Sequence, residues 1–221
     1  MITLSIDAST YVGDVAVLDE CRVLQEISVA MRGAHEERLM PAVVALLTRA
    51  GLGVREVGRV VCGEGPGSFT SLRIAGAIAK GIAIGVPCPL FALPSMALIV
   101  AGLEPRPGRY LVAVDALRDQ CYLGLFGVSS EGAIRELHAP RIAATCDVAV
   151  VADQLEAQLV GPAELAGSIT ASPRARGAGR LQDMLVERGP VRLDAWEPAY
   201  GRLAEAQVRW ESANGRSLPR E

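Results

Sequence analysis

The spacing of apolar positions changes several times along this chain, and each change marks an element. Residues 2 to 7, Ile2-Thr3-Leu4-Ser5-Ile6-Asp7, form a short apolar-rich run that predicts a buried strand. A turn at Ser9, Thr10 and Gly13 leads to a second strand at Val15 to Leu18 and a third at Val23 to Val29, which together read as a β-meander. Between Glu36 and Ala50 the period lengthens, so that Leu39, Val43, Leu46, Leu47 and Ala50 share one face of a helix that Gly51 stops. A strand at 58 to 62 follows, then a glycine-rich junction, a helix from Ser68 to Ile84, a strand at Cys88 to Ala92 and a helix from Ser95. Gly102 to Gly108, with Pro105 and Pro107, reads as a linker. Strands at 109 to 115 and 121 to 127, joined by an Arg118-Asp119-Gln120 turn, open a second and shorter set. A long helix is expected from Pro198, and Asn214 to Glu221 reads as a frayed tail.

Strands, helix, strand, helix and strand in this order predict an α/β chain with mixed sheets flanked by helices. The pattern resembles the duplicated ribonuclease-H-like domain of actin, sugar kinases and the Hsp70 ATPase region. That resemblance implies a first subdomain over 1–102, a reduced second subdomain over 109–197, and a C-terminal helix over 198–213 packing back on the first.

Composition narrows the class. A chain of 221 residues with 50% hydrophobic and 21% charged residues can bury a full core. No run of about 18 apolar residues occurs and no basic leader precedes an apolar stretch, so the expectation is a soluble, cytoplasmic protein without a membrane anchor. The five cysteines are isolated from one another, without a Cys-x-x-Cys pair, and read as reduced. With His35 and His138 as the two histidines, a histidine-rich metal site is poorly supported, and no metal is expected. His35-Glu36 begins like a zinc-protease helix, but position 39 is Leu. A net charge of −3 argues against tight nucleic-acid binding by this chain alone, because phosphate neutralisation supplies most of that affinity.

The junction Gly63-Glu64-Gly65-Pro66-Gly67-Ser68-Phe69-Thr70-Ser71-Leu72-Arg73 is the most specific stretch. Its glycines allow positive φ and close approach of a partner, Pro66 stiffens the turn, and Ser68 or Thr70 is placed to cap the helix. Such a strand-loop-helix junction leaves N–H groups pointing from a helix N-terminus, which attracts anions. Gly65, Gly67 and Ser68 are therefore candidate anion or nucleotide contacts, with a plain tight turn as the alternative. Glu64 opposes an anion, and neither a Walker loop nor a dinucleotide fingerprint is matched.

Asp7, followed by Ser9 and Thr10, sits where a kinase-like relative would bind phosphate or hold a metal-bound water, and Asp115 occupies the matching place in the second set. A structural Asx-turn is the alternative for Asp7. Asp119 and Glu64 are weaker candidates for a base, since turn carboxylates are usually solvated. The helix from Ser68 is apolar or small over much of its circumference, and the helix at 36–50 adds Met40, Val44 and Ala45. Both either pack only on the sheet and each other or form part of an interface.

Gly-Pro-Gly-Ser-Phe-Thr followed by x-Leu-Arg-Ile resembles the signature of the bacterial TsaB (YeaZ) family. So do Leu4 to Thr10, His35-Glu36-Glu37-Arg38-Leu39-Met40-Pro41, Val112 to Ala116 through Tyr122, and Glu197-Pro198-Ala199-Tyr200 with Arg202. Ser71 and Leu117 depart from the pattern, where the family has glycine and arginine.

The resemblance implies a non-catalytic scaffold and activator subunit of the machinery that installs threonylcarbamoyl on the adenosine next to the anticodon. It further implies pairing with the catalytic TsaD through first-subdomain helices, joining by the ATPase TsaE, and self-pairing as a homodimer through the same surface. Leu39, Val43, Leu72, Ala75 and Ala79 are the residues expected at or near that interface. ATP or ADP and magnesium are expected only at the assembled complex, and tRNA through the complex. The rival readings are a small phosphotransferase using Asp7 and Asp115 and, more remotely, a metalloprotease.

Overall fold

The structure is a computed structural model that describes residues 1–31, 37–161, 165, 167–201 and 215. Its first sheet contains β1 (Ile2–Asp7), β2 (Val12–Asp19), β3 (Arg22–Ala30), β4 (Val57–Gly63) and β5 (Leu90–Leu93), in the order β3-β2-β1-β4-β5. The first three strands form the expected antiparallel meander, with Ile6 opposite Val15, and β4 and β5 join it in parallel, with Ile6 beside Cys62. A strand covered on both faces reads as continuous burial rather than alternation, and Thr3 to Asp7 of β1 are all buried.

The second sheet contains β6 (Gly108–Asp115), β7 (Gln120–Val128), β8 (Ile134–Ala144), β9 (Gln158–Gly161) and β10 (Ile169–Thr170), in the order β10-β9-β6-β7-β8. β6 to β8 form an antiparallel meander, and β9 and β10 add in parallel. Strand for strand this is the plan of the first sheet, so the fold is a duplicated ribonuclease-H-like α/β architecture with a reduced second half. In that half the parallel strands shrink to four and two residues.

The helices are α1 (Leu39–Arg49), α2 (Phe69–Gly85), α3 (Ser95–Gly102), α4 (Val148–Gln154) and α5 (Gln182–Arg188), with 3-10 turns at Val54–Glu56, Thr145–Asp147 and Ala175–Arg180. α1 begins later than the periodicity suggests. Glu37 precedes it, and its carboxylate accepts the N–H groups of Leu39 and Met40, satisfying donors that a helix start leaves open. Gly51, at φ +69°, ends the helix as expected. His35 and Glu36 lie outside the described residues.

α1 and α2 cover one face of the first sheet, where Leu39, Val43, Leu46, Ala75, Ala79 and Ile82 pack on Leu4, Ile6, Val15 and Val60. α3 is buried along its entire length. It belongs to a cluster that draws Val61 and Leu93 from the first sheet and Tyr110, Val112, Tyr122 and Phe126 from the second. A separate apolar layer, with Leu111, Leu123, Val148 and Ala152, fills the space between the second sheet and α4.

A polar clasp closes the same inter-sheet region. The fully buried Asp14 of β2 accepts hydrogen bonds from Ser28 Oγ at 2.6 Å and Ala175 N at 2.7 Å, and Arg174 Nη1 lies 3.3 Å from its carboxylate. Arg174 and Arg176 also pair with Glu26 of β3, at 3.2 Å each. Burial pushes the Asp14 carboxyl up to about 6, with the neighbouring Glu26 adding to the rise and Ser28, Ala175 and Arg174 opposing it.

After α5 the chain runs back to the first sheet, where Val191 donates its N–H to Leu90 O at 2.8 Å. Pro198–Gly201 are not helical, which corrects the expectation of a helix from Pro198; the remainder of the 198–213 segment lies outside the described residues. Among the described residues no helix is long and apolar enough to cross a membrane.

Candidate functional site

Two places gather the residues singled out by the sequence: the glycine-rich junction between β4 and α2, and the helical face formed by α1 and α2. The junction lies at the carboxyl ends of β1, β4 and β5, where open α/β sheets bind ligands. Three of its amides, however, are already used. Glu64 N donates to Leu93 O at 2.9 Å, Gly65 N to Ser95 Oγ at 2.9 Å and Ser68 N to Ser9 O at 2.7 Å.

The glycines are explained in the same way. A β-carbon on Gly67 would stand 2.0 Å from Ser9 O, and one on Gly65 would stand 2.6 Å from Ala199 O. Gly65 also has φ +99°, a region that L side chains rarely adopt. The close approach that the spacing called for is therefore made by the chain's own backbone. At Gly65, Gly67 and Ser68 the approaching groups are the carbonyl oxygens of Ala199 and Ser9, which favours the tight-turn alternative over an anion contact. Ser68 occupies the N-cap position without capping α2; its hydroxyl pairs with Ser71 Oγ at 3.0 Å. Glu64 is engaged in an ion pair with Arg188 of α5.

Asp7 is fully buried. Its Oδ1 accepts the Ser9 N–H at 2.8 Å and the Ser9 hydroxyl at 2.9 Å, the Asx-turn arrangement. Oδ2 has no aligned hydrogen-bond partner. A β-carbon on Gly63 would fall 1.8 Å from that oxygen, so the bare glycine backbone covers it. Burial pushes the Asp7 carboxyl up, and the Ser95 hydroxyl and the Ser9 groups pull it only partly back. Thr10 turns its hydroxyl to its own loop, 3.2 Å from Val12 O.

Asp115 differs from the buried Asp7 in its exposure. It is exposed, accepts the Leu117 N–H at 2.7 Å, and opens a turn in which Leu117, Arg118 and Asp119 all have φ near +60°. Tyr11 OH lies 3.5 Å from its other oxygen. Among the described residues no group of three or more His, Cys, Asp or Glu could hold a metal ion.

The expected interface residues also need correction. Leu39, Val43, Leu72, Ala75 and Ala79 are each no more than 1% exposed; Leu39, Val43, Ala75 and Ala79 pack with the first sheet, and Leu72 lies against Gly65 of the junction. The open side of the same helices carries Met40 and Val44 from α1 and Ala77, Gly81, Ile84 and Gly85 from α2, with Val54 and the half-buried Ile78 beside them. Met40, Val54, Ile78, Gly81, Ile82, Gly85 and Val86 line a shallow apolar depression there. Among the described residues nothing lies within 4 Å of where a β-carbon on Gly81 or Gly85 would be.

Sequence periodicity missed a third feature. The segment Glu197–Gly201 covers the junction: Ala199 N donates to Glu64 O at 2.7 Å, and the Tyr200 ring packs on Phe69 with centroids 4.5 Å apart. The Arg73 guanidinium lies over both rings, at 4.3 Å from Phe69 and 5.5 Å from Tyr200. Its sequence signal was the motif Glu197-Pro198-Ala199-Tyr200, which was expected to open a helix packing back on the first subdomain.

Comparison with known proteins agrees with this architecture. A family model described as TsaD, tRNA N6-adenosine threonylcarbamoyltransferase, matches residues 28–158. The tRNA threonylcarbamoyladenosine biosynthesis protein TsaB of Bacillus subtilis is 33% identical over 126 residues, covering 57% of this chain and 55% of that protein. The TsaB of Escherichia coli is 32% identical over 124 residues, covering 55% and 53%. The chain thus spans about half the length of the curated relatives it matches. The crystal structure of YeaZ from Pseudomonas aeruginosa superimposes with a TM-score of 0.74 at 27% identity, covering 90% of this chain and 99% of that one. With the family model matching more than half of the sequence and the two-sheet fold shared with YeaZ, the chain belongs to the TsaB (YeaZ) family.

Proposed function

We propose that this protein is a non-catalytic scaffold and activator subunit of the bacterial tRNA N6-threonylcarbamoyladenosine synthase, pairing with TsaD and working with the ATPase TsaE in the cytoplasm. The observation that carries this reading is Gly81. A glycine inside an exposed helix costs about 1 kcal/mol relative to alanine, and among the described residues nothing approaches the place where its β-carbon would be. That cost gains nothing within the isolated chain. It is offset if a partner helix approaches α2 closely, against the apolar stripe of Ala77, Gly81, Ile84 and Gly85 and the neighbouring Met40 and Val44 of α1.

A partner seated there shifts its own conformational populations toward those that fit, which requires no reactive group on this chain. The engaged junction and the covered Asp7 support the same reading. ATP, magnesium and tRNA are then handled by the assembled complex. The same stripe on a second copy gives a homodimer in the absence of TsaD.

The test is to mix the protein with TsaD of the same organism and measure complex mass by sizing with light scattering, with and without Gly81→Glu. A one-to-one complex lost in the variant supports the proposal; a complex unaffected by it removes this face from the assignment. Failure to form any complex, together with ATP hydrolysis abolished by Asp7→Asn, would favour the phosphotransferase instead.

A further inference from the structure

The cleft at the carboxyl ends of β1, β4 and β5 is filled by backbone from the other end of the described chain, and it holds that backbone as binding sites hold extended peptides. We propose that this cleft is a peptide-binding groove whose resident ligand is the chain's own segment Glu197–Gly201, and that this strap clamps the two sheets together and can be released as a unit. The inference stands on the cleft and does not depend on the α1–α2 face.

Recognition is through main chain at two points, small residues at three and one aromatic pocket, the combination that extended-peptide sites use. Ala199 donates its N–H to Glu64 O at 2.7 Å, and Tyr200 O accepts the Tyr122 hydroxyl at 3.2 Å. Ala199 O lies where a side chain at Gly65 would begin, and Pro198 Cγ lies 3.3 Å from the β-carbon position of Gly76. Gly201 itself passes where any side chain would meet Tyr122 at 2.5 Å and Pro66 at 2.9 Å. Tyr200 packs its ring on Phe69 and under the Arg73 guanidinium, which together form its pocket. The ligand class is therefore an extended peptide with small residues before and after one aromatic, as in Pro198-Ala199-Tyr200-Gly201.

The strap spans both halves: Glu64, Gly65, Phe69, Arg73 and Gly76 belong to the junction and α2, whereas Tyr122 belongs to β7 of the second sheet. It also ends a region that is incompletely satisfied. Trp196, packed beside Gly76 with Lys80 Nζ 5.7 Å from its ring, has a buried Nε1–H without a hydrogen-bond partner. A segment held by few bonds over a surface shaped for it opens before the sheets do.

The experiment is hydrogen exchange by mass spectrometry on the full chain, comparing the native protein with Tyr200→Ala and Gly76→Leu. The first removes the aromatic anchor and the second fills the place of Pro198. Both variants are expected to speed exchange at Glu64–Ser68 and around Tyr122 by about tenfold or more, while β1 and β6 stay within about twofold of native. A synthetic peptide spanning Trp196–Gly201, added in excess, is expected to restore protection in Tyr200→Ala and not in Gly76→Leu, where the groove itself is blocked. Unchanged exchange in both variants would reduce the strap to surface cladding, and loss of protection through β1 and β6 would make it ordinary core. Either result overturns the proposal, as does a peptide that restores nothing in Tyr200→Ala.

Discussion

Arg174 reaches the buried carboxylate of Asp14 at 3.3 Å, and the backbone N–H that follows it, on Ala175, donates to the same carboxylate at 2.7 Å. The pair ties β2 of the first sheet to the turn that follows the second. Its worth depends on pH. Asp14 is raised from 3.8 to about 6, so its neutral form favours the fold below 3.8 and that contribution is lost as pH rises through about 6. Above that point Arg174 faces an ionised Asp14 with Glu26 beside it. Arg174→Ala is expected to cost about 2 kcal/mol at pH 8, below the usual loss for a fully buried pair because a third of the side chain is exposed, and clearly less at pH 5. Urea unfolding at the two pH values measures this, and equal losses would refute it.

Asp7 gives the opposite expectation for its own replacement. Its carboxyl is raised by burial, so ionising it at neutral pH works against the fold. Asn keeps an oxygen for the Ser9 donors and carries no charge. Asp7→Asn is expected to melt at or above the native temperature at pH 8, with the advantage shrinking at low pH where Asp7 is neutral already. A variant several degrees less stable at pH 8 would show that Asp7 works as a carboxylate.

Gly63 and Asp7 are packed so closely that the first positions the second. Gly63→Ala would place a methyl 1.8 Å from Asp7 Oδ2 and 2.8 Å from Ser95 Oγ. A loss of about 3 kcal/mol or more is expected, the range of severe overpacking. Chemical unfolding reads it directly, and a loss under about 1 kcal/mol would mean that the turn has room to shift.

Gly81→Ala separates the needs of the chain from those of its partner. Nothing meets the added methyl, so the isolated protein is expected to gain about 0.5–1 kcal/mol. Pairing with TsaD is expected to weaken at the same time. Ala79→Glu cannot make that distinction, since Ala79 is fully buried and a carboxylate there unfolds the helix packing. A Gly81→Ala variant both stabler and equally competent in pairing would show that α2 is not closely approached.

Much of the first sheet was legible because its elements announce themselves locally: a meander of β-branched runs, then apolar helices bounded by glycine. The interface residues were misplaced for a physical reason. Helical periodicity selects the most consistent apolar row, and in α1 and α2 that row is Leu39, Val43, Leu72, Ala75 and Ala79, all buried, four of them in the core of the first sheet. The outward row of α2 is made of Ala77, Gly81, Ile84 and Gly85, small or isolated residues that periodicity weighs lightly, whereas Met40 and Val44 of α1 were already visible as excess apolar surface. The junction was recognised as a close-approach loop, but glycine spacing does not say whether an anion or a peptide carbonyl makes the approach. That answer lies in Ala199. Nor does any local pattern join Asp14 to Ala175, which is 161 positions away.

The shared burial of α3 gives this molecule an economy with a cost. Each sheet uses the same eight-residue helix as part of its own apolar core, so the duplicated halves, though matched strand for strand, are not interchangeable modules. A fragment ending at Gly102 would carry α3 into water on one side, and one beginning at Gly108 would leave Tyr110, Val112 and Phe126 uncovered. Whatever its ancestor was, the present chain folds as one indivisible body, and recombination that exchanges a half must supply a helix fitted to both faces.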